Sequence, residues 1–362
     1  MKKRIYVGTY SEPLVFGTGE LVPGRGEGIH FLELDTETGI LREEHPPLKV
    51  VNPSYLAIHP NGKYLYSVNE LKEYEGESGG SVSAFAIESD GSLKYLNTKA
   101  TGGQDPCHLC LDKDGLHLLI ANFMTGSVCV YKTLPDGSLG ERTEFIQHTG
   151  SGPLKDRQAG PHAHAVVFDP KFNFVLVPDL GLDKLLTYKL DMVSGRLSPA
   201  PEPWFVCGPG AGPRSGEFHP VLPVFYSINE LASSVTVVEY DFETSGMKEL
   251  QTISSLPPGF DAANTCADLH VSADGRYVYG SNRGHNSLMI FEVDQKDGTL
   301  TQLGTVPTDG RTPRHFAITD RFVLVGNQDT DSIAVFTRNE DTGMLTPVSR
   351  FDTPMPVCIL PV

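Results

Sequence analysis

Long apolar runs are missing from this chain. No stretch of about 18 or more uncharged apolar residues interrupts its 362 residues, so no helix is expected to span a bilayer. The opening MKKRIYVGTY lacks the apolar core of a secretory signal and runs straight into a strand-like segment, which predicts a cytoplasmic protein. No helical heptad pattern is sustained anywhere. Positive charge is scarce as well: 29 Lys and Arg stand against 45 Asp and Glu, a formal charge of −16. That balance argues against nucleic acid or an anionic membrane as partner. Only six cysteines occur, and only Cys107 and Cys110 lie close together, in the run CHLC. Alternation along a strand sends those two side chains to opposite faces, so buried free thiols are expected in place of a metal or redox pair.

Glycine and proline, by contrast, are abundant, with 37 and 27 copies. Seven of the glycines end a short turn between two strand-like runs: Gly39, Gly91, Gly137, Gly195, Gly246, Gly298 and Gly343. Asp-Gly and its relatives supply the positive φ of a tight hairpin. Recurrence every 45 to 58 residues or so marks one supersecondary unit copied seven times.

Each unit reads as four strands. The first are PSYLAIHP, PCHLCLDK, AHAVVFDP, PRSGEFHP, CADLHVSAD and PRHFAITD; the second are LYSVN, LLIAN, FVLVPD, VFYSIN, YVYGSN and FVLVGN. Third strands such as SVSAFAI and SVTVVEY lead into the glycine turn and a more variable fourth. Six units are complete. The N-terminal IYVGTY, GIHFLELD and LREEH supply the second, third and fourth strands of a seventh, and the C-terminal PVCILPV supplies its first. This predicts an all-β, seven-bladed β-propeller of four antiparallel strands per blade, one domain over residues 1–362, its ring closed by a shared terminal blade.

In such a blade the start of the first strand and the end of the second share one end, opposite the glycine turns. Site residues are expected there, beside the longer joins 11–28, 70–80, 148–162, 207–213 and 256–265. The first-strand starts are Ser54, Cys107, His164, Arg214, Ala267 and Arg314, with His108 and Asp268 one place further. Every second strand ends in a carboxamide or carboxylate: Asn69, Asn122, Asp179, Asn229, Asn282 and Asn327. Because all units share it, that ring suits turn hydrogen bonds. Residues that differ between units are the better candidates, and Glu70, Glu230, Arg283 and Gln328 follow the ring positions. Asn-Glu-Leu occurs twice, at 69–71 and 229–231, which leaves a repeat-derived turn open for both glutamates. Three arginines (Arg214, Arg283, Arg314) and two histidines (His108, His164) converging on the channel mouth predict a basic funnel that captures an anion.

The same residues carry a family resemblance. GPHAHAVVFDP, AGPRSGEFHP followed by YSINELASSV, ADLHVSADGRYVYGSNR and TPRHFAI together resemble the lactonase family of seven-bladed propellers, which includes propeller-type 6-phosphogluconolactonases and the fungal carboxy-cis,cis-muconate cyclase. The resemblance implies a site of one histidine, one glutamate and two arginines on His164, Glu230, Arg214 and Arg283. Two features depart from the pattern. Glu217 stands inside a strand where an apolar residue is expected, and the 11–28 and 70–80 joins are longer than their turns require.

The resulting expectation is a lactonase without metal or cofactor, acting on a small anionic lactone. His164 or Glu230 is the base, Arg214 and Arg283 hold the oxyanion, and His108, Arg314, Asp268, Asn229, Asn282 and Gln328 bind substrate. Two other readings stand beside it. In one, Asn, Asp and Glu oxygens hold Ca²⁺, although nearby arginines would repel the ion. In the other, the propeller is a binding scaffold without catalysis; it calls for exposed aromatics, and the single Trp204 lies near a fourth strand.

Overall fold

A computed structural model describes residues 1–362, and it is a ring of seven four-stranded antiparallel sheets. The closing sheet joins Pro356–Pro361, Lys2–Thr9, Ile29–Asp35 and Leu41–Leu48, in that spatial order. Val7 pairs with Ile359 on one side and His30 on the other. The two ends of the chain are thereby locked into one blade, and no sheet edge is left facing a gap in the ring.

Why these segments are strands follows from where they sit. The second strand of each blade has covered faces on both sides, and Val224–Asn229, His117–Asn122 and Phe322–Asn327 are buried at every position. A strand buried on both faces reads as a near-continuous apolar run, as LLIAN and FVLVGN do. The outer strands instead expose much of their length, for example Leu93–Ala100. Between sheets the apolar side chains of neighbouring blades interlock. Val224, Tyr226 and Ile228 pack with Leu269, Val278 and Phe291 of the next blade, and Ile5 and Leu32 with Phe322 and Leu324 across the closure. Each such side chain contributes roughly 1.5–3 kcal/mol on burial.

The glycine turns serve this blade contact too. Tyr6, Tyr66, Tyr226 and Tyr279 donate their hydroxyls to the carbonyls of Gly91, Gly137, Gly298 and Gly343, each in the following blade, at 2.7–2.9 Å. Six of the seven turn glycines have φ between 69° and 89°; at Gly246 the left-handed residue is instead Ser245, at φ 61°. Ser245 N–H takes the turn bond to Asp241 O, and its hydroxyl donates to Glu202 O, which holds a non-glycine residue in that conformation.

At the other end, first-strand starts pair with second-strand ends: Pro106 with Asn122, Pro213 with Asn229, Cys266 with Asn282, Pro313 with Asn327. In each case the register slips immediately afterwards. Cys107, Arg214 and Arg314 are therefore bulge residues, as are Ala267 and Asp268 together. A bulge leaves its extra residue unpaired and re-aims the side chain, here into the channel.

Candidate active site

The channel mouth opens into a cavity of about 350 Å³, lined among others by His164, Glu230, Arg283, Arg314 and Gln328. Arg214 lies one layer deeper, beside a second cavity of about 30 Å³ that His108 and Asp268 also line. His164 and Arg314 border both. Of the ten site residues expected from the sequence, eight thus surround these two cavities. Asn229 and Asn282 do not. Both are fully buried: Asn229 Nδ2 donates to Ser234 and Thr236 of its own blade, and Asn282 Oδ1 accepts from Ser255 and Asn264 of the join that leads into its blade. Asp179 likewise caps its own turn, accepting from the His162, Gly181 and Leu182 N–H groups. The ring holds backbone only in part: Asn69, Asn282 and Asn327 donate to main-chain carbonyls, whereas Asn122 and Asn229 donate to Ser and Thr hydroxyls.

Glu230 is the electrostatic centre. Arg283 Nη2 lies 2.7 Å from its Oε2, Arg214 Nε 3.0 Å from the same oxygen, and Arg157 Nη2 2.6 Å from Oε1. The Arg214 contact is an ion pair without hydrogen-bond alignment, since that Nε–H has no acceptor on its line. Arg214 Nη1 donates to Ala267 O and Arg283 Nη2 to Cys266 O, so main chain fixes both guanidiniums. Burial alone would raise the Glu230 carboxyl, but Arg283, Arg214 and Arg157 overturn that and hold it well below the usual carboxylate range. Burial and the neighbouring Arg283 pull Arg214 down to about 10, which leaves it charged at neutral pH.

His164 is the opposite case. Burial, reinforced by Arg214, pushes its pKa well below the ordinary value of 6.5, so the ring is neutral. The Cys107 thiol lies 3.7 Å from its Nδ1 and 3.3 Å from its carbonyl oxygen, and burial keeps that thiol protonated. Phe123 meets the imidazole edge-on at 5.2 Å.

The opposite wall is built by the 11–28 join. Leu14–Val15 and Leu21–Val22 form a small hairpin whose turn brings Phe16, Gly17, Thr18 and Glu20 to the cavity. Phe16 and Tyr10 place their rings 5.1 and 5.2 Å from the Arg314 guanidinium. Tyr10 donates to Glu70 Oε2 at 2.8 Å, and Arg314 Nη2 is 3.9 Å from Glu70 Oε1. Both glutamates of the repeated Asn-Glu-Leu therefore reach the cavity, a placement that a simple repeat-derived turn would not require. The 70–80 join adds little beyond Glu70; its short hairpin of Glu73–Tyr74 and Glu77–Ser78 stands outside.

The funnel is less basic than the sequence led us to expect. Glu20, Glu70, Asp105, Glu230 and Asp329 share the wall with Arg157, Arg283 and Arg314. Loops contributed these acids, and only around Glu230 do cations outnumber them. Arg157 was not singled out in the sequence: it stands in the join 148–162 with no motif to mark it.

At the smaller cavity, which Asp268 and His315 line, these two residues and His270 bring three ligand atoms within 4.8 Å, a spacing that could hold a metal ion. Their protons argue against it. His270 Nε2 faces Asp268 at 3.1 Å and Nδ1 faces Glu217 at 3.0 Å, and the two carboxylates overcome burial to raise its pKa well above 6.5. His315 Nδ1 accepts the Ile359 N–H, which leaves the proton on the Nε2 that a metal would need. The group is a hydrogen-bonded set centred on Asp268, and it accounts for Glu217 in its strand. His108 has the same tautomer, its Nδ1 accepting from Val166 N–H at 3.4 Å; burial lowers it to about 3.

A family profile described as "Lactonase, 7-bladed beta-propeller" matches residues 4–361. The chain belongs to this lactonase family. Among the relatives of the lactonase is the 6-phosphogluconolactonase of Bacillus subtilis, 38% identical over 358 residues, covering 98% of this chain and 97% of that one. The 6-phosphogluconolactonase of Formosa agariphila is 34% identical over 326 residues, covering 88% and 91%. Of solved structures, the periplasmic gluconolactonase of Pseudomonas aeruginosa superposes with a TM-score of 0.92 at 30% identity, over 100% of the lactonase and 99% of its own chain. No helix of the lactonase is long and apolar enough to cross a membrane.

Proposed function

We propose that this lactonase hydrolyses the ring ester of a sugar-acid lactone, 6-phosphogluconolactone being the substrate its named relatives point to. The observation that carries the reading is a neutral imidazole beside a guanidinium-clamped carboxylate in one cavity. Water attacks the lactone carbonyl carbon while His164 accepts its proton. General-base help of this kind is worth roughly 10²–10⁴-fold. Negative charge then gathers on the carbonyl oxygen, where Arg214 and Arg283 stabilise it, at roughly 10²–10³-fold per donor. Collapse breaks the bond to the ring oxygen, which takes the proton back from His164. One water is consumed, and the hydroxy acid formed ionises to release one proton.

Glu230 is a poor base in this scheme because three guanidiniums stabilise its ionised form. Its role is to orient Arg214 and Arg283 and to favour the transient imidazolium. Between the two bases left open by the sequence, the electrostatics support His164. Purified protein assayed on 6-phosphogluconolactone, corrected for spontaneous hydrolysis, tests the reading. His164→Ala and Arg214→Ala should each lower kcat by about 10²-fold or more; full activity in both variants would sink it. A cytoplasmic location is supported by six unpaired cysteines, five of them buried, which suit a reducing compartment. Cell fractionation that finds the protein outside the cytoplasm would overturn it.

A further inference from the structure

The cation count around Glu230 is out of balance. One carboxylate faces three permanent cations, an excess of two positive charges in a largely desolvated corner. The other acids of the wall lie away from that corner: Glu70 takes the Tyr10 hydroxyl and neighbours Arg314, Asp105 takes Lys72, Asp329 accepts from Thr312 and Gln328, and Glu20 is exposed to solvent on the hairpin turn. Like charges so placed are costly unless further negative charge arrives. An oxyanion at Arg214 and Arg283 supplies part of it during reaction. A second anion, fixed in the substrate, fits the remainder.

Of the three arginines, only Arg157 is free to meet it. Arg214 and Arg283 are tied to main-chain carbonyls, whereas the Arg157 side chain makes one hydrogen bond, to Glu230, and is 24% exposed on the cavity wall. Nor is it a stray surface side chain. Gln158, next to it and fully buried, pegs the loop: its Nε2 donates to Leu180 O and Asp183 Oδ1, and its Oε1 accepts the Leu154 N–H. Asp183 also accepts from the Gly210 and Gly212 N–H groups. Loop 148–162 is thereby tied to the segment leading into Arg214, and position 157 is held over Glu230.

We propose that Arg157 is a specificity-determining residue that binds the anionic substituent of the lactone, leaving Glu230 as it does so. A guanidinium offers a phosphate two parallel N–H bonds, against the single bond surrendered. Glu230 keeps Arg214 and Arg283, and its vacated Oε1 turns acceptor for a substrate hydroxyl or the attacking water. The proposal rests on the lactonase reading and assigns a residue to the substrate's negative group, remote from the ring ester.

The test compares gluconolactone with its 6-phosphate as substrates of wild type, Arg157→Ala and Arg157→Lys. In Arg157→Ala, the ratio of kcat/KM for the phosphorylated over the uncharged lactone should fall about tenfold or more, the worth of one charge-assisted contact. Arg157→Lys should restore part of it, because a point charge remains. A ratio shifted less than about threefold, with both substrates losing alike, overturns the proposal and leaves Arg157 as a mere support of Glu230. If wild type hydrolyses neither lactone, the lactonase reading itself fails. Calorimetry with 6-phosphogluconate and gluconate then decides the anion site separately. Wild-type binding of the phosphorylated acid alone, lost in Arg157→Ala, supports it; equal affinity for both acids overturns it.

Discussion

Glu230→Gln is the sharpest perturbation available, because it keeps shape and removes only charge. The side chains of Glu230 and Arg214 are each 7% exposed, so solvent screens their attraction weakly. Removing one partner of a buried ion pair costs roughly 3–5 kcal/mol, since the remaining charge is left uncompensated. Here glutamine retains an acceptor, the 350 Å³ cavity admits water, and Arg157 can turn outward, so the low end applies. At about 3 kcal/mol, and roughly 2–4 °C per kcal/mol for large domains, the Tm should fall by about 6–12 °C. Urea unfolding followed by circular dichroism measures the same loss. Added inorganic phosphate should raise the midpoint of the variant more than that of wild type, because an anion replaces the missing charge. Lactonase kcat/KM should drop about 10²–10³-fold as the oxyanion donors lose their orientation. A variant with unchanged midpoint, no response to phosphate and near-native kcat/KM would refute the view that one carboxylate organises three guanidiniums.

Other consequences are independent of that one. His164 is neutral far below its ordinary pKa, so kcat should stay level between pH 8 and about 6 and decline only well below 6.5; a limb centred at or above 6.5 that vanishes in His164→Ala would contradict the assignment. Prolonged dialysis against EDTA should leave activity unchanged, since the His270 and His315 nitrogens that face Asp268 carry protons where a metal would bind; loss restored by Zn²⁺ or Ca²⁺ would reverse that conclusion. Burial, with Glu70 adding, lifts Asp105 from 3.8 to about 6 despite Lys72. The folded chain then keeps a proton that the unfolded chain releases, so stability should fall as pH rises from about 4 to about 6. Asp105→Asn should flatten that slope in urea midpoints across the range; an unchanged slope would locate the proton elsewhere.

Several features of the site were legible because they break a repeat. His164, Arg214 and Arg314 stood out as the residues at one repeated position that the scaffold does not demand. The same logic set the ring of Asn and Asp aside as backbone caps, yet it left Asn229 and Asn282 among the candidates. Their side chains turn away from the channel, to Ser234 of the same blade and to Ser255 of the preceding join, an orientation that position along a strand does not encode. Glu70 was visible as half of a duplicated tripeptide, but its meaning depended on Tyr10 and Arg314, distant in sequence. Arg157 had no signal at all, because a loop arginine acquires a role only from what it faces.

The sequence by itself determined the blade count, the strand order within a blade and the splice of the two termini. Those depend on local turn chemistry and on alternation, which each repeat carries in full. Tertiary structure alone decided the chemistry of the mouth. Bulges at Cys107, Arg214 and Arg314 aim side chains inward, and the Leu14–Val22 hairpin closes one wall. Which imidazoles are neutral and which carboxylate holds three cations follows from burial and from charges brought together across separate blades. Such couplings fall off over a few ångströms of space and are blind to distance along the chain.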